Sequence, residues 1–92
     1  MRQIVKKSIE ELNELLPNEK KLKIKDTTPL IGDKSSLESI DLVNLFVSLE
    51  KNLKSEKNLY LTFDELLKDL KNLKTINSLE IFLKNKFENE EK

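Results

Sequence analysis

The chain has 92 residues, with 17 basic and 17 acidic side chains interleaved to a formal net charge of +0. A length of this order holds one core, and one glycine, two prolines and recurring Lys/Glu/Leu segments predict a single domain that is helical throughout. Cysteine and histidine are absent, which excludes a thiolate nucleophile, a Cys/His zinc site, a Ser-His-Asp triad and an imidazole base, and the balanced charge leaves no basic field for nucleic acid.

In chain order, the first predicted helix covers residues 2–16. Ile4, Val5, Ile9, Leu12, Leu15 and Leu16 recur at helical spacing, and Pro17 stops the run. Arg2, Lys6 and Lys7 followed by Glu10, Glu11 and Glu14 do not form the apolar run of a signal peptide. No segment approaches the length of a membrane span, so a cytoplasmic protein is expected.

Residues 17–38 carry no sustained period and form a long loop, a type usually pinned by a few apolar anchors. Leu30 and Ile31 are the candidate anchors, and Gly32 the candidate turn. A second helix is expected from about Ile40 to Leu53, with Ser39 at its N-cap and Asp41 in its first turn, where a carboxylate favours the positive end of the dipole.

Asn58 to Leu61 looks extended. Thr62 and Glu65 have the spacing of a capping box, which opens a short third helix through about Leu70, with Phe63, Leu66, Leu67 and Leu70 on one face. A fourth helix follows a cap at Thr75 or Asn77 and carries Ile76, Leu79, Phe82, Leu83 and Phe87. The domain is therefore drawn over residues 1–87, and residues 88–92, all charged or amidic, form a tail expected to fray.

At about 100° per residue, the second helix gathers Leu42, Leu45, Phe46, Leu49 and Leu53 on a core face. Asp41, Asn44, Ser48 and Lys51 lie opposite, yet Ile40 and Val47 fall among them and Val43 at their margin. Three apolar side chains clustered beside a serine predict an exposed docking strip.

On these residues the chain resembles the acyl carrier proteins and related peptidyl carrier domains. In that family an Asp-Ser-Leu motif opens the second helix. Here the motif reads Glu38-Ser39-Ile40, followed by Asp41 and by Leu42 through Glu50, which match the family's helix in position and character. The long first loop, the short third helix and the Thr75-to-Leu79 entry to the last helix are family features too.

The resemblance implies an all-α fold, a small four-helix bundle of acyl-carrier type. It implies that Ser39 carries 4'-phosphopantetheine, transferred from coenzyme A by a separate phosphopantetheinyl transferase. The arm's thiol then holds acyl or aminoacyl groups as thioesters for loading and consuming enzymes. It further implies that Glu38 and Asp41 flank the attachment point, Asp41 helping to orient the transferase or its metal, and that Ile40, Val43 and Val47 dock the partners.

Such a protein is a monomeric carrier and not itself an enzyme. Ser36-Leu37 mimics the same motif, but a helix counted from Ser36 would place Ser39 in the core, so register favours Ser39. Glu38 replaces the usual aspartate. Asn44 and Lys51 stand where acidic residues are typical, so a specialised, free-standing carrier is expected. Leu30, Ile31 and Tyr60 are candidates either to line an acyl channel or to pack in the core. The rival reading is a small helical interaction module that uses the same strip without a covalent cofactor.

Overall fold

The computed structural model describes residues 1–88. Four α-helices follow one another: α1 (Arg2–Leu15), α2 (Ser39–Lys57), α3 (Phe63–Lys68) and α4 (Ile76–Glu88), with 3-10 turns at Asn18–Lys20 and Leu70–Asn72. The protein is all-α, as composition predicts. Among the described residues no helix is long and apolar enough to cross a membrane. Glu88, expected to begin the tail, is the last residue of α4, and the rest of that tail lies outside the described residues.

One apolar cluster joins all four helices. Ile4, Val5, Ile9 and Leu12 of α1 meet Leu45, Phe46, Leu49 and Leu53 of α2, with Leu66 of α3 and Ile76, Leu79, Leu83 and Phe87 of α4. Phe63 closes α3 onto α2 by an edge-on contact with Phe46, ring centroids 5.8 Å apart at 67°, a geometry that matches the positive ring edge to the negative face.

Three predicted core positions fall elsewhere. Leu15 is 67% exposed and Leu67 45% exposed, while their neighbours Leu16 and Leu66 take the buried positions at those helix ends. Leu42 is only half-buried.

The long loop is held by backbone pairing. Leu30 N–H donates to Lys74 O at 2.7 Å, while Ile76 and Asn77 N–H donate to Thr28 O and Asp26 O at 3.1 and 3.0 Å. Pro29 and Thr75 form an isolated antiparallel bridge. At the loop's other end the Asn13 amide clamps Leu22 through both its N–H and its C=O, at 2.8 and 3.0 Å. Leu30 is buried and Ile31 half-buried, so both anchor as expected.

Gly32 has φ +109°. A Cβ there would meet nothing within 4 Å, so the backbone angle alone calls for glycine.

Helix starts follow local chemistry. Thr62 N–H and the Glu65 carboxylate bond at 2.8 Å, and Glu65 N–H and Thr62 Oγ1 at 3.2 Å, which completes the predicted capping box. At α4 the cap is Thr75: its Oγ1 accepts from Ser78 N–H at 3.1 Å. With Ile76 and Asn77 matched to loop carbonyls and Leu79 N–H to Thr75 O, the start of α4 has no orphan donor. α2 runs four residues past its expected end and stops at Asn58, which takes a left-handed conformation with φ 53°.

Candidate functional site

Ser39 is the first residue of α2 and is exposed. The expectation that it caps the helix is corrected: the N-cap is Glu38, in extended conformation at φ −91°, ψ 170°. Asp41 Oδ2 accepts from Glu38 N–H at 2.9 Å, so a carboxylate reaching back one turn takes up the donor at the boundary. Ser35 ties down the approach, its Oγ donating to Leu30 O at 2.8 Å and accepting from Leu37 N–H at 3.1 Å. Neighbours organise the turn, and the hydroxyl of Ser39 is left to solvent.

Charge around this point is mixed. Lys20 Nζ stands 3.7 Å from Glu38 Oε1, with the side chains 42% and 68% exposed, too open for the pair to add much stability. Asp41 is half-buried by its turn contact.

Ile40, Val43 and Val47 follow Ser39 along the outer face of α2, at 60%, 37% and 55% exposure. The predicted strip is therefore present as a surface, with its three members at i, i+3 and i+7. Ser36 is also exposed but lies in the loop, ahead of the N-cap.

The candidate channel residues do not share one environment. Leu30 is in the core, whereas Tyr60 is 64% exposed. Its hydroxyl bonds Asn58 Oδ1 at 3.2 Å and its ring lies 6.0 Å from Lys54 Nζ, so it neither packs in the core nor lines an interior space.

At the opposite end of α2 a polar network appears that apolar periodicity does not predict. Asn52 is 1% exposed and Ser8 fully buried. Asn52 Nδ2 donates to Ser8 Oγ at 2.9 Å and to Glu11 Oε1 at 3.0 Å, Ser8 Oγ donates to Ile4 O at 2.8 Å, and Lys51 Nζ meets Glu11 Oε2 at 3.0 Å. Among the described residues no buried side-chain polar atom lacks a partner. Burial pushes the Glu11 carboxyl up, but hydrogen bonds from Lys51 and Asn52, together with the Lys51 charge, outweigh it and hold the group below its ordinary value. Glu65 is held low by the hydrogen bond from Lys86 and by the Thr62 N–H.

Comparison with protein-family models, curated proteins and solved structures finds no match to this chain.

Proposed function

We propose that the chain is an acyl carrier protein whose Ser39 bears 4'-phosphopantetheine, in a four-helix bundle of acyl-carrier type. The observation that carries this reading is the open hydroxyl at the first residue of α2: it has no capping role, and an apolar strip runs directly away from it. A serine that only capped its helix would direct its oxygen at the backbone.

The residues fit the group. A phosphodiester on Ser39 Oγ would lie at the N-terminal end of a 19-residue helix, where N–H groups and the aligned peptide dipoles favour an anion. In the transfer, Ser39 Oγ would bond to the pantetheine-bearing phosphorus of coenzyme A, the pyrophosphate P–O bond would break with 3',5'-ADP as the leaving group, and the serine proton would pass to a base on the separate transferase. Once attached, the arm supplies the thiol that holds acyl or aminoacyl cargo, the sulfur chemistry that a chain without cysteine lacks.

Glu38 and Asp41 fix the turn that presents the hydroxyl, with Asp41 available to orient the transferase. Ile40, Val43 and Val47 offer the apolar contact to that enzyme and to loading and consuming enzymes. The chain itself catalyses nothing in this scheme.

With Asn44 half-buried, Lys51 paired to Glu11 and the net charge at +0, the strip is poorly matched to enzymes that attract a polyanionic carrier. A specialised, monomeric, cytoplasmic carrier follows from this reading.

Incubation with a promiscuous phosphopantetheinyl transferase and coenzyme A, read by intact mass, tests it. A gain of one 4'-phosphopantetheine, absent in Ser39→Ala, is expected. No gain under conditions that modify a control carrier would leave the exposed strip as a docking face of a cofactor-free interaction module.

A further inference from the structure

Residues 32–37 connect the anchored part of the long loop to the N-cap of α2, and little holds them. Gly32, Asp33, Lys34 and Ser36 are exposed, and only Ser35 and Leu37 are half-buried. Within the segment, Ser35 N–H donates to Gly32 O at 3.0 Å. Among the described residues the one hydrogen bond that leaves it runs from Ser35 Oγ to Leu30 O, at 2.8 Å. The same oxygen accepts Leu37 N–H at 3.1 Å. A hydroxyl donates once and can also accept, so one side chain joins backbone groups on either side of the Gly32 turn.

It joins an anchored point to an open one. Leu30 is 1% exposed and its N–H donates to Lys74 O at 2.7 Å, in the pairing that also satisfies Ile76 N–H at the start of α4. Leu37 stands immediately before the N-cap with its side chain against the core cluster, and Glu38 and Ser39 beyond it are exposed. A line of hydrogen bonds therefore runs from the start of α4 through Leu30 and Ser35 to the threshold of α2. Packing holds the Leu37 side chain, whereas the Ser35 hydroxyl holds the backbone amide from which the next turn sets out.

We propose that Ser35 is a positioning residue for group transfer to Ser39, an inference that rests on the carrier reading. Its hydroxyl acts through the turn closed by Glu38 N–H and Asp41, and not on the reacting atoms. With the bond in place, the transferase meets Ser39 in one arrangement. Without it the turn spreads over several, and apparent affinity falls in proportion to the fraction that is competent. The chemical step keeps its rate once a competent arrangement is bound, so the signature is a raised KM at an unchanged kcat.

Initial rates of 4'-phosphopantetheine transfer from coenzyme A by a promiscuous transferase, measured against concentration of the parent, Ser35→Ala and Ser35→Thr chains, test the proposal. Ser35→Ala should raise KM about tenfold, the factor carried by hydrogen bonding worth ~1.4 kcal/mol, with kcat unchanged. Ser35→Thr keeps the hydroxyl and should restore the parent value. Urea unfolding of each chain gives the folded fraction under assay conditions, so that KM is expressed per folded molecule.

A second readout needs no transferase. In Ser35→Ala, amide hydrogen exchange should quicken at Glu38 and Leu42, the first-turn donors bonded to Asp41 Oδ2 and Glu38 O, and keep the parent rate at Leu49 and Leu53. Unchanged KM in Ser35→Ala, a loss confined to kcat, no rescue by Ser35→Thr, or exchange that is unaltered at the first turn or quickened throughout α2 overturns the proposal and leaves Ser39 as the attachment point. A parent chain left unmodified beside a modified control carrier overturns the carrier reading, and this inference with it.

Discussion

The two halves of α2 are built from similar residues and differ in how much of their apolar surface the rest of the chain covers. In the C-terminal half Leu49 and Leu53 are fully buried, and Asn52 is tied through Ser8 and Glu11 to α1. In the N-terminal half Leu45 and Phe46 face inward, while Ser39, Ile40, Val43 and Val47 face solvent. α1 runs antiparallel to α2, with Lys7 paired to Glu56 and Glu11 to Lys51. A helix held firmly by one half can offer the other half to partners without losing its place in the core.

The largest effect should separate those halves by stability. Leu49→Ala is expected to cost about 2–5 kcal/mol, a large share of the roughly 5–15 kcal/mol typical of a whole domain. Val47→Ala should stay within about 0.5 kcal/mol. Urea unfolding followed by circular dichroism gives both values, and equal costs would abolish the distinction between a structural half and a surface half.

Next comes the polar tie. Asn52→Ala removes a donor shared by Ser8 and Glu11 and should cost about 1–3 kcal/mol. Combined with Ser8→Ala, it should show a coupling of about 0.5 kcal/mol or more. Strict additivity in that double-mutant cycle would mean that the 2.9 Å contact contributes nothing.

Acid should loosen this same end. Because the Glu11 carboxyl titrates below its ordinary value of 4.5 in the folded chain, its contribution is complete above that value and is lost as pH falls through the lower folded one. Glu65, lowered by Lys86 and Thr62, acts in the same direction. Melting temperature should therefore fall less steeply on acidification in Glu11→Gln than in the parent chain. Parallel profiles would contradict the assignment.

The smallest effect concerns the first turn. Since Asp41 and not Ser39 satisfies the Glu38 N–H, Asp41→Ala should cost about 0.5–1 kcal/mol in thermal unfolding. Ser39→Ala should cost less than about 0.5 kcal/mol. The reverse order would restore Ser39 to a capping role.

Much of the architecture is legible from residue spacing because each helix buries a regular stripe, and Thr62, Glu65 and Gly32 act through local rules that depend on few neighbours. Three features escape such rules. Asn52 looks like surface because its burial depends on Ser8 and Glu11, 44 and 41 residues away in sequence. The pairing of Thr28–Leu30 with Lys74–Ile76 joins segments that carry no strand pattern.

The last four residues of α2, Lys54 to Lys57, hold no apolar side chain to extend the period. At the candidate site, the exposure of Ser39 and of the Ile40–Val43–Val47 strip is legible in sequence, whereas which side chain closes the turn is misjudged, because several polar side chains stand at that boundary.

The most direct measurement is peptide mapping of the protein after reaction with coenzyme A and a promiscuous phosphopantetheinyl transferase, run in parallel on Ser36→Ala and Ser39→Ala. The carrier account predicts one 4'-phosphopantetheine on the peptide containing Ser39, retained in Ser36→Ala and lost in Ser39→Ala. Modification that persists in Ser39→Ala, or a parent chain left unmodified beside a modified control carrier, would contradict it.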